Sequence, residues 1–248
     1  RKIEVIKSSN ANYPVDVLKK SLEKSKIKSN AGIGHTRWAT HGPINNINAH
    51  PHFSYTNNIF IVHNGIVENY DFLKKFLIRK GVLINSQTDS ELIAHMIDLM
   101  LCSMGNIESA IFSVSKMIEG NNTVALMSKE IPDSIFGFST DPSGGLVVGE
   151  KDNRRFLSSD SYALEKFCNS VSFTTKDDLV IITKKSLSII DQNKVARVPK
   201  KINLRKESEI QTNQDENFQT DFIIEKEISE QNKTLKKLIN KRMLDKAE

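Results

Sequence analysis

A length of 248 residues fits one large domain or two small ones, and 38% hydrophobic residues suffice for a core. The net charge of +5 arises from 35 lysines and arginines interspersed with 30 acidic residues; without a basic block with interleaved aromatics, nucleic-acid binding is not expected. No apolar run is long enough to span a bilayer, and two cysteines, Cys102 and Cys168, make neither a disulfide framework nor a metal spacing.

No secretory leader is visible at the start, and a reducing, cytoplasmic setting is expected. Arg1 to Lys7 alternates like a strand already in progress, with Ile3–Ile6 as its centre. That reading puts the true amino terminus upstream or implies processing. Pro14 to Ile27 has helical spacing, with Val17, Leu18 and Leu22 on one side. Gly32-Ile33-Gly34-His35-Thr36-Arg37-Trp38-Ala39-Thr40-His41-Gly42 fits neither the helical nor the strand period and reads as a strand end entering a binding loop. Asn48-Ala49-His50-Pro51-His52 is a turn or loop, because Pro51 pushes His50 out of helical geometry. Ile59–His63 is a short buried strand that stops at Asn64-Gly65.

Tyr70 to Arg79 reads as a helix with Phe72, Leu73, Phe76 and Leu77 inward and Gly81 as its stop. A second helix begins at Ser86–Glu91, where Thr88 and Glu91 form a capping box. Its stripe is Leu92, Ile93, Met96, Ile97, Met100 and Leu101. Asn106 to Ile118 is its antiparallel partner. Strands follow at Thr123–Met127, Ile135–Ser139, Leu146–Val148, Arg155–Ser158, Leu179–Thr183 and Leu187–Ile190. Asn203–Thr220 is polar and reads as a loose linker, and Phe222 to Met243 as a charged amphipathic helix. Helices between hairpin-connected strands argue for a layered α+β domain.

Taken singly, the polar residues have ordinary readings. Asn64-Gly65 is first a hairpin turn, although a strand ending in this pair also presents an amide and an N–H to one point, as an oxyanion hole requires. Arg37 is a surface charge or a clamp for a carboxylate. Asp89 is a helix-start carboxylate or the partner of an ammonium group. Trp38 fills core or shields a site. The 6 histidines all lie in the first part of the chain, yet none shows an established metal spacing. Cys102 lies two helical turns from His95 and could share a face with it, but its neighbours Met100 and Leu101 make it read as a core thiol.

Taken together, Gly34–Gly42, Asn48-Ala49-His50-Pro51, Val62-His63-Asn64-Gly65-Ile66-Val67-Glu68-Asn69 and Thr88-Asp89-Ser90-Glu91 closely resemble the glutaminase domain of the glutamine–fructose-6-phosphate aminotransferase family. The resemblance returns at Glu225-Lys226-Glu227-Ile228-Ser229-Glu230-Gln231, which looks like that family's segment leading to its sugar-isomerase half. It implies an N-terminal-nucleophile amidotransferase with a four-layer α/β/β/α sandwich at 1–202, and a linker and helix at 203–248. It implies that glutamine is hydrolysed and its ammonia is passed on to make glucosamine 6-phosphate. Arg37 would bind the glutamine α-carboxylate, Asp89 the α-ammonium, Thr40 and His41 would touch the substrate, Trp38 would gate the ammonia path, and Asn64 and Gly65 would form the oxyanion hole. No cofactor and no metal are implied. The partners implied are L-glutamine and an isomerase domain or subunit supplied elsewhere, with room for a homo-oligomer through that half, and neither nucleic acid nor membrane. The family's nucleophile, a cysteine at the mature amino terminus, has no counterpart in this chain, so the polypeptide as given is expected to be inactive. The rival readings are a non-catalytic remnant that binds glutamine or a partner, and an amidophosphoribosyltransferase-like glutaminase domain.

Overall fold

A computed structural model describes residues 3–9, 12–25, 29–38, 42–141 and 145–204, together with Ile228, Gln231, Leu235, Lys236 and Ile239. The chain divides into two units, 1–204 and 205–248. In the second, the five described residues are helical and exposed; the rest of the expected linker and terminal helix lies outside the described residues.

The described residues of the first unit form two antiparallel sheets and four α-helices. Its elements are α1 (Pro14–Ser25), β1 (His52–Phe53), β2 (Ile59–Gly65), α2 (Tyr70–Arg79), α3 (Asp89–Met104), α4 (Ile107–Met117), β3 (Asn122–Ser128), β4 (Ser134–Ser139), β5 (Val147–Lys151), β6 (Arg154–Ser158), β7 (Ser170–Phe173), β8 (Leu179–Thr183), β9 (Leu187–Ile190) and β10 (Lys201–Asn203). One sheet runs β1-β2-β3-β4-β8-β9 and the other β10-β7-β5-β6. A 3-10 turn, Tyr162–Leu164, follows β6.

Side-chain alternation along the strands makes the layers. On one face of the larger sheet, Ile59, Ile61, Val124, Leu126, Phe136 and Phe138 pack against Leu92, Ile93, Met96 and Ile97 of α3 and Ile107, Ile111 and Val114 of α4. The opposite alternation sends Ile135, Val180, Ile182 and Ile189 against Leu146, Val148 and Leu157 of the smaller sheet. There the sheets come close: a Cβ on Gly137 would lie 2.5 Å from Leu157. The far face of the smaller sheet is covered by Leu164, Cys168, Phe156 and Leu204 around Val147 and Val171. Each fully buried aliphatic side chain in these layers contributes about 1.5–3 kcal/mol.

α3 is the central helix. Ten consecutive residues from Asp89 to Asp98 are buried, polar ones included. It stops at Gly105, whose φ of +63° lets its N–H return to Leu101. Asn106 then caps α4 by accepting the Ser109 N–H at 2.9 Å. α2 ends as expected at Gly81, φ +79°, and the Val82 N–H closes on Leu77.

Several expectations need correction. Residues 3–6 form no strand; alternation does not make a ladder without a hydrogen-bonded neighbour. α1 buries none of its residues, and Leu22 is exposed. Phe72 is 65% exposed, because only Leu73 and Leu77 of α2 reach the core fully. Thr88 makes no side-chain cap bond; its hydroxyl is engaged by Ser86 and His52 instead. Glu91 does reach back, but to the N–H groups of Asn85 and Ser86. Cys102 is exposed, since α3 emerges from the core after Asp98. β1, β7 and β10 were not anticipated: the two or three residues of β1 and β10 are too short for periodicity to register, and Ser170-Val171-Ser172-Phe173 of β7 holds only two apolar residues.

Candidate functional site

The Asn64-Gly65 pair is not a hairpin turn. It completes β2 and stays paired with β3, Asn64 opposite Thr123 and Gly65 opposite Asn122. Gly65 has φ +140°, a conformation that side chains with a Cβ rarely adopt. A Cβ there would fall on the backbone oxygen of Asn121 and lie 2.9 Å from the Cα of Asn122. The dipeptide therefore marks a strand end pressed against its neighbour.

Strand alternation decides what each residue faces. His63 turns to the helices and is buried. Asn64 turns the other way and is exposed, lining a cavity of about 260 Å³ with Gly32, Gly34, His35, Thr123 and Leu157. So the structure brings residues Gly32–His35 and the end of β2 to one cavity between the sheets.

The N-terminus of α3 grips β2 on both sides of Asn64-Gly65. The Val67 N–H donates to Asp89 Oδ2 at 2.9 Å. On the other side, Ser90 Oγ lies 2.9 Å from His63 Nδ1, and His63 Nε2 lies 2.9 Å from Asn122 Oδ1. Asp89 Oδ1 is 4.0 Å from His63 Nδ1. Asp89 is thus a buried carboxylate beside the strand end, with one oxygen already committed to backbone.

Arg37 is fixed by carbonyls. Its guanidinium donates to Pro43 O at 3.3 Å and Gly42 O at 3.4 Å. That loop is secured by Asn48, which is fully buried; its amide donates to Pro43 O and to Gln87, and its oxygen accepts the Gln87 N–H. Trp38 is 90% exposed, which overturns the core-filling reading. Thr40 and His41 lie outside the described residues.

Three imidazoles pack together beside this loop, one pair tilted and the other edge to face. His35 and His50 have ring centroids 4.2 Å apart, and His50 and His52 4.9 Å. Burial depresses all three pKa values. His50 falls to about 2, with His35, His52, His63 and Arg37 adding repulsion. His52 falls to about 4 through burial and Lys7, against an opposing pull from Glu91. His63 is lowered by burial, with Asp89 opposing. The site is therefore lined by neutral histidines. Among the described residues, no group of three or more histidines, cysteines or acids is arranged to hold a metal ion.

A second buried network braces the helix. Burial works against ionising Glu91, but hydrogen bonds from His95, Ser86 and the Asn85 N–H outweigh it and hold its carboxyl at about 2. His95 bonds Glu91 at 3.2 Å and accepts the Tyr55 N–H at 3.0 Å. Tyr55 also touches Cys102, so His95 and Cys102 do share one face, as supports for the loop after β1. Sequence reasoning missed Ser90, Asn122 and His50 as site residues. Nothing in the local sequence marks them, since His50 lies in a loop and Ser90 and Asn122 stand at the starts of their elements.

Comparison with known proteins gives the family. The glutamine amidotransferase domain family matches residues 35–166, just over half of the chain. The chain belongs to that family. Glutamine–fructose-6-phosphate aminotransferase [isomerizing] from Mesorhizobium japonicum is 40% identical over 182 residues, 73% of this chain and 29% of the relative. The Thermococcus kodakarensis enzyme of the same name is 37% identical over 187 residues, 75% and 31% of the two chains. That of Clostridium acetobutylicum is 32% identical over 227 residues, 92% and 36%. This glutamine amidotransferase domain thus spans about a third of the length of such relatives. Among solved structures, glutamine phosphoribosylpyrophosphate amidotransferase from B. subtilis, complexed with ADP and GMP, shares the fold. Its TM-score is 0.54 at 19% identity, over 63% of this chain and 34% of that one. No helix among the described residues is long and apolar enough to cross a membrane.

Proposed function

We propose that this chain is the glutamine-handling part of a glutamine–fructose-6-phosphate aminotransferase, delivering ammonia to a sugar-isomerase half that makes glucosamine 6-phosphate. The observation that carries the reading is the strand end at Asn64-Gly65, held rigid by Asp89 and Asn122 and opening on the cavity shared with Gly32–His35. The Asn64 amide and the Gly65 N–H are the donors for the oxyanion that develops when a nucleophile attacks the glutamine side-chain carbonyl. Arg37 takes the α-carboxylate and Asp89 the α-ammonium, with Thr40 and His41 contacting the substrate and Trp38 gating the path of ammonia. Attack by the thiol of the family's amino-terminal cysteine forms a sulfur–carbon bond, its S–H proton passes to the leaving nitrogen, and collapse of the oxyanion breaks the carbon–nitrogen bond and releases ammonia. Water then hydrolyses the thioester to glutamate. The exposed, unpaired thiol of Cys102 suits a cytoplasmic setting. Residues 203–248 lead toward the isomerase half, through which the enzyme assembles.

Neither cysteine of the chain lines the cavity. Cys168 is buried against Gly149 under the smaller sheet, and Cys102 lies against Tyr55. The purified 248-residue polypeptide is therefore expected to show no glutamine hydrolysis in an ammonia-release assay. Turnover that a thiol reagent abolishes would overturn this assignment of the nucleophile.

Binding tests the reading more directly. A bidentate, charge-assisted pair is worth roughly 3–6 kcal/mol. Arg37→Ala is expected to weaken glutamine binding by at least ~100-fold in calorimetry. Unchanged affinity would remove Arg37 from the site.

A further inference from the structure

We infer that Ser90 is a positioning residue, its hydroxyl coupling the oxyanion strand end, through His63, to the substrate-binding loop, through His50 and His35. The inference rests on the glutamine-binding reading for its consequence, and on the hydrogen-bond chain for its mechanism.

The directions of that chain are fixed by counting donors. The Asn122 amide nitrogen donates to Glu119 O and Gly120 O, both at 3.0 Å, so its Oδ1 is the acceptor facing His63. His63 therefore carries its proton on Nε2 and presents a bare Nδ1, which accepts the Ser90 hydroxyl proton at 2.9 Å. The Ser90 oxygen then accepts from His50 Nε2 at 3.0 Å. His50 is left with a bare Nδ1, and that atom is buried without a hydrogen-bond partner. It lies in the pair of rings that joins His50 to His35, two residues before Arg37. The competing acceptor for Ser90, Asp89 Oδ1, is at 3.5 Å and already poorly placed. One hydroxyl thus serves both halves of the site: through His63 it sets the residue before Asn64, and through His50 it sets the ring against which His35 rests.

The test uses the full chain with nitrogen-15-labelled histidines. His63 and His50 are each expected as the neutral Nε2–H tautomer. Ser90→Ala is expected to move the ring-nitrogen signals of both, and the side-chain amide signal of Asn64. His95, held by Glu91 and Tyr55, serves as the unmoved reference. Ser90→Thr keeps the hydroxyl and is expected to restore the signals. Glutamine affinity should fall about tenfold in Ser90→Ala and recover in Ser90→Thr. A wild-type His63 protonated on Nδ1 overturns the inference, as does Ser90→Ala that leaves His50 and Asn64 unmoved. If the alanine variant fails to fold, the wild-type tautomers and the threonine variant decide. A wild type that binds no glutamine defeats the proposed function, while the ring signals still judge the coupling.

Discussion

Gly65→Ala is expected to be the most damaging single-methyl substitution in the site, lowering stability by at least about 3 kcal/mol and erasing glutamine binding. Two penalties combine. The backbone stands at φ +140°, where a Cβ carries a cost of about 1–3 kcal/mol. The added carbon would also meet the Asn121 carbonyl oxygen and the Asn122 Cα. Both obstacles are backbone atoms of a paired strand, so no rotamer change relieves them. Relief requires the end of β2 to leave β3. That movement displaces Asn64, releases the Val67 N–H from Asp89 and pulls His63 from Asn122. Urea unfolding and amide spectra measure both effects. An alanine variant within about 0.5 kcal/mol of wild type, with unshifted Asn64 and Val67 signals, would show that glycine is not required there.

The same position shows what the sequence could and could not reveal. The helices α2, α3 and α4 were legible because each carries an apolar stripe with a marked end: Gly81 after α2, Gly105 after α3 and the capping Asn106 before α4. β2, β3, β4, β5, β6, β8 and β9 were legible as apolar or alternating runs. Pairing was not. Asn64-Gly65 has the local chemistry of a turn, and only the 122–128 partner strand, far away in sequence, holds it extended. The strand expected at Ile3–Ile6 failed for the converse reason, an alternating pattern without a ladder. Burial of polar residues was equally hidden. Nothing local distinguishes Ser90 from the many helix-start serines, yet two histidines 40 and 27 residues earlier converge on its hydroxyl. The Gly32–Gly42 stretch, by contrast, was conspicuous from composition alone, and Gly32, Gly34 and His35 do line the cavity with Asn64.

Acid is expected to destabilise the chain well before its carboxylates protonate. The native state keeps His50 neutral down to about pH 2 and His52 down to about pH 4. In the unfolded chain both titrate near 6.5. Between those values the unfolded state binds more protons, so unfolding free energy falls as pH falls, beginning near 6.5. Each histidine locked neutral contributes about 1.4 kcal/mol per pH unit in that window. Lowering the pH from 7 to 5 is thus expected to cost about 2–4 kcal/mol from this pair, with His35 and His63 shifted in the same direction. Glu91 acts later: its depressed carboxyl contributes stability that is present above about 4.3 and is lost as pH falls toward 2. Two successive losses should therefore appear in urea midpoints measured from pH 7 to pH 3. His50→Gln, which places an amide that does not titrate at the Ser90 contact, is expected to lessen the loss that begins near 6.5, with the share of His52 remaining, and to leave the Glu91 contribution in place. A midpoint that holds constant from pH 7 to pH 5 would mean that the three rings are not locked neutral in the folded chain.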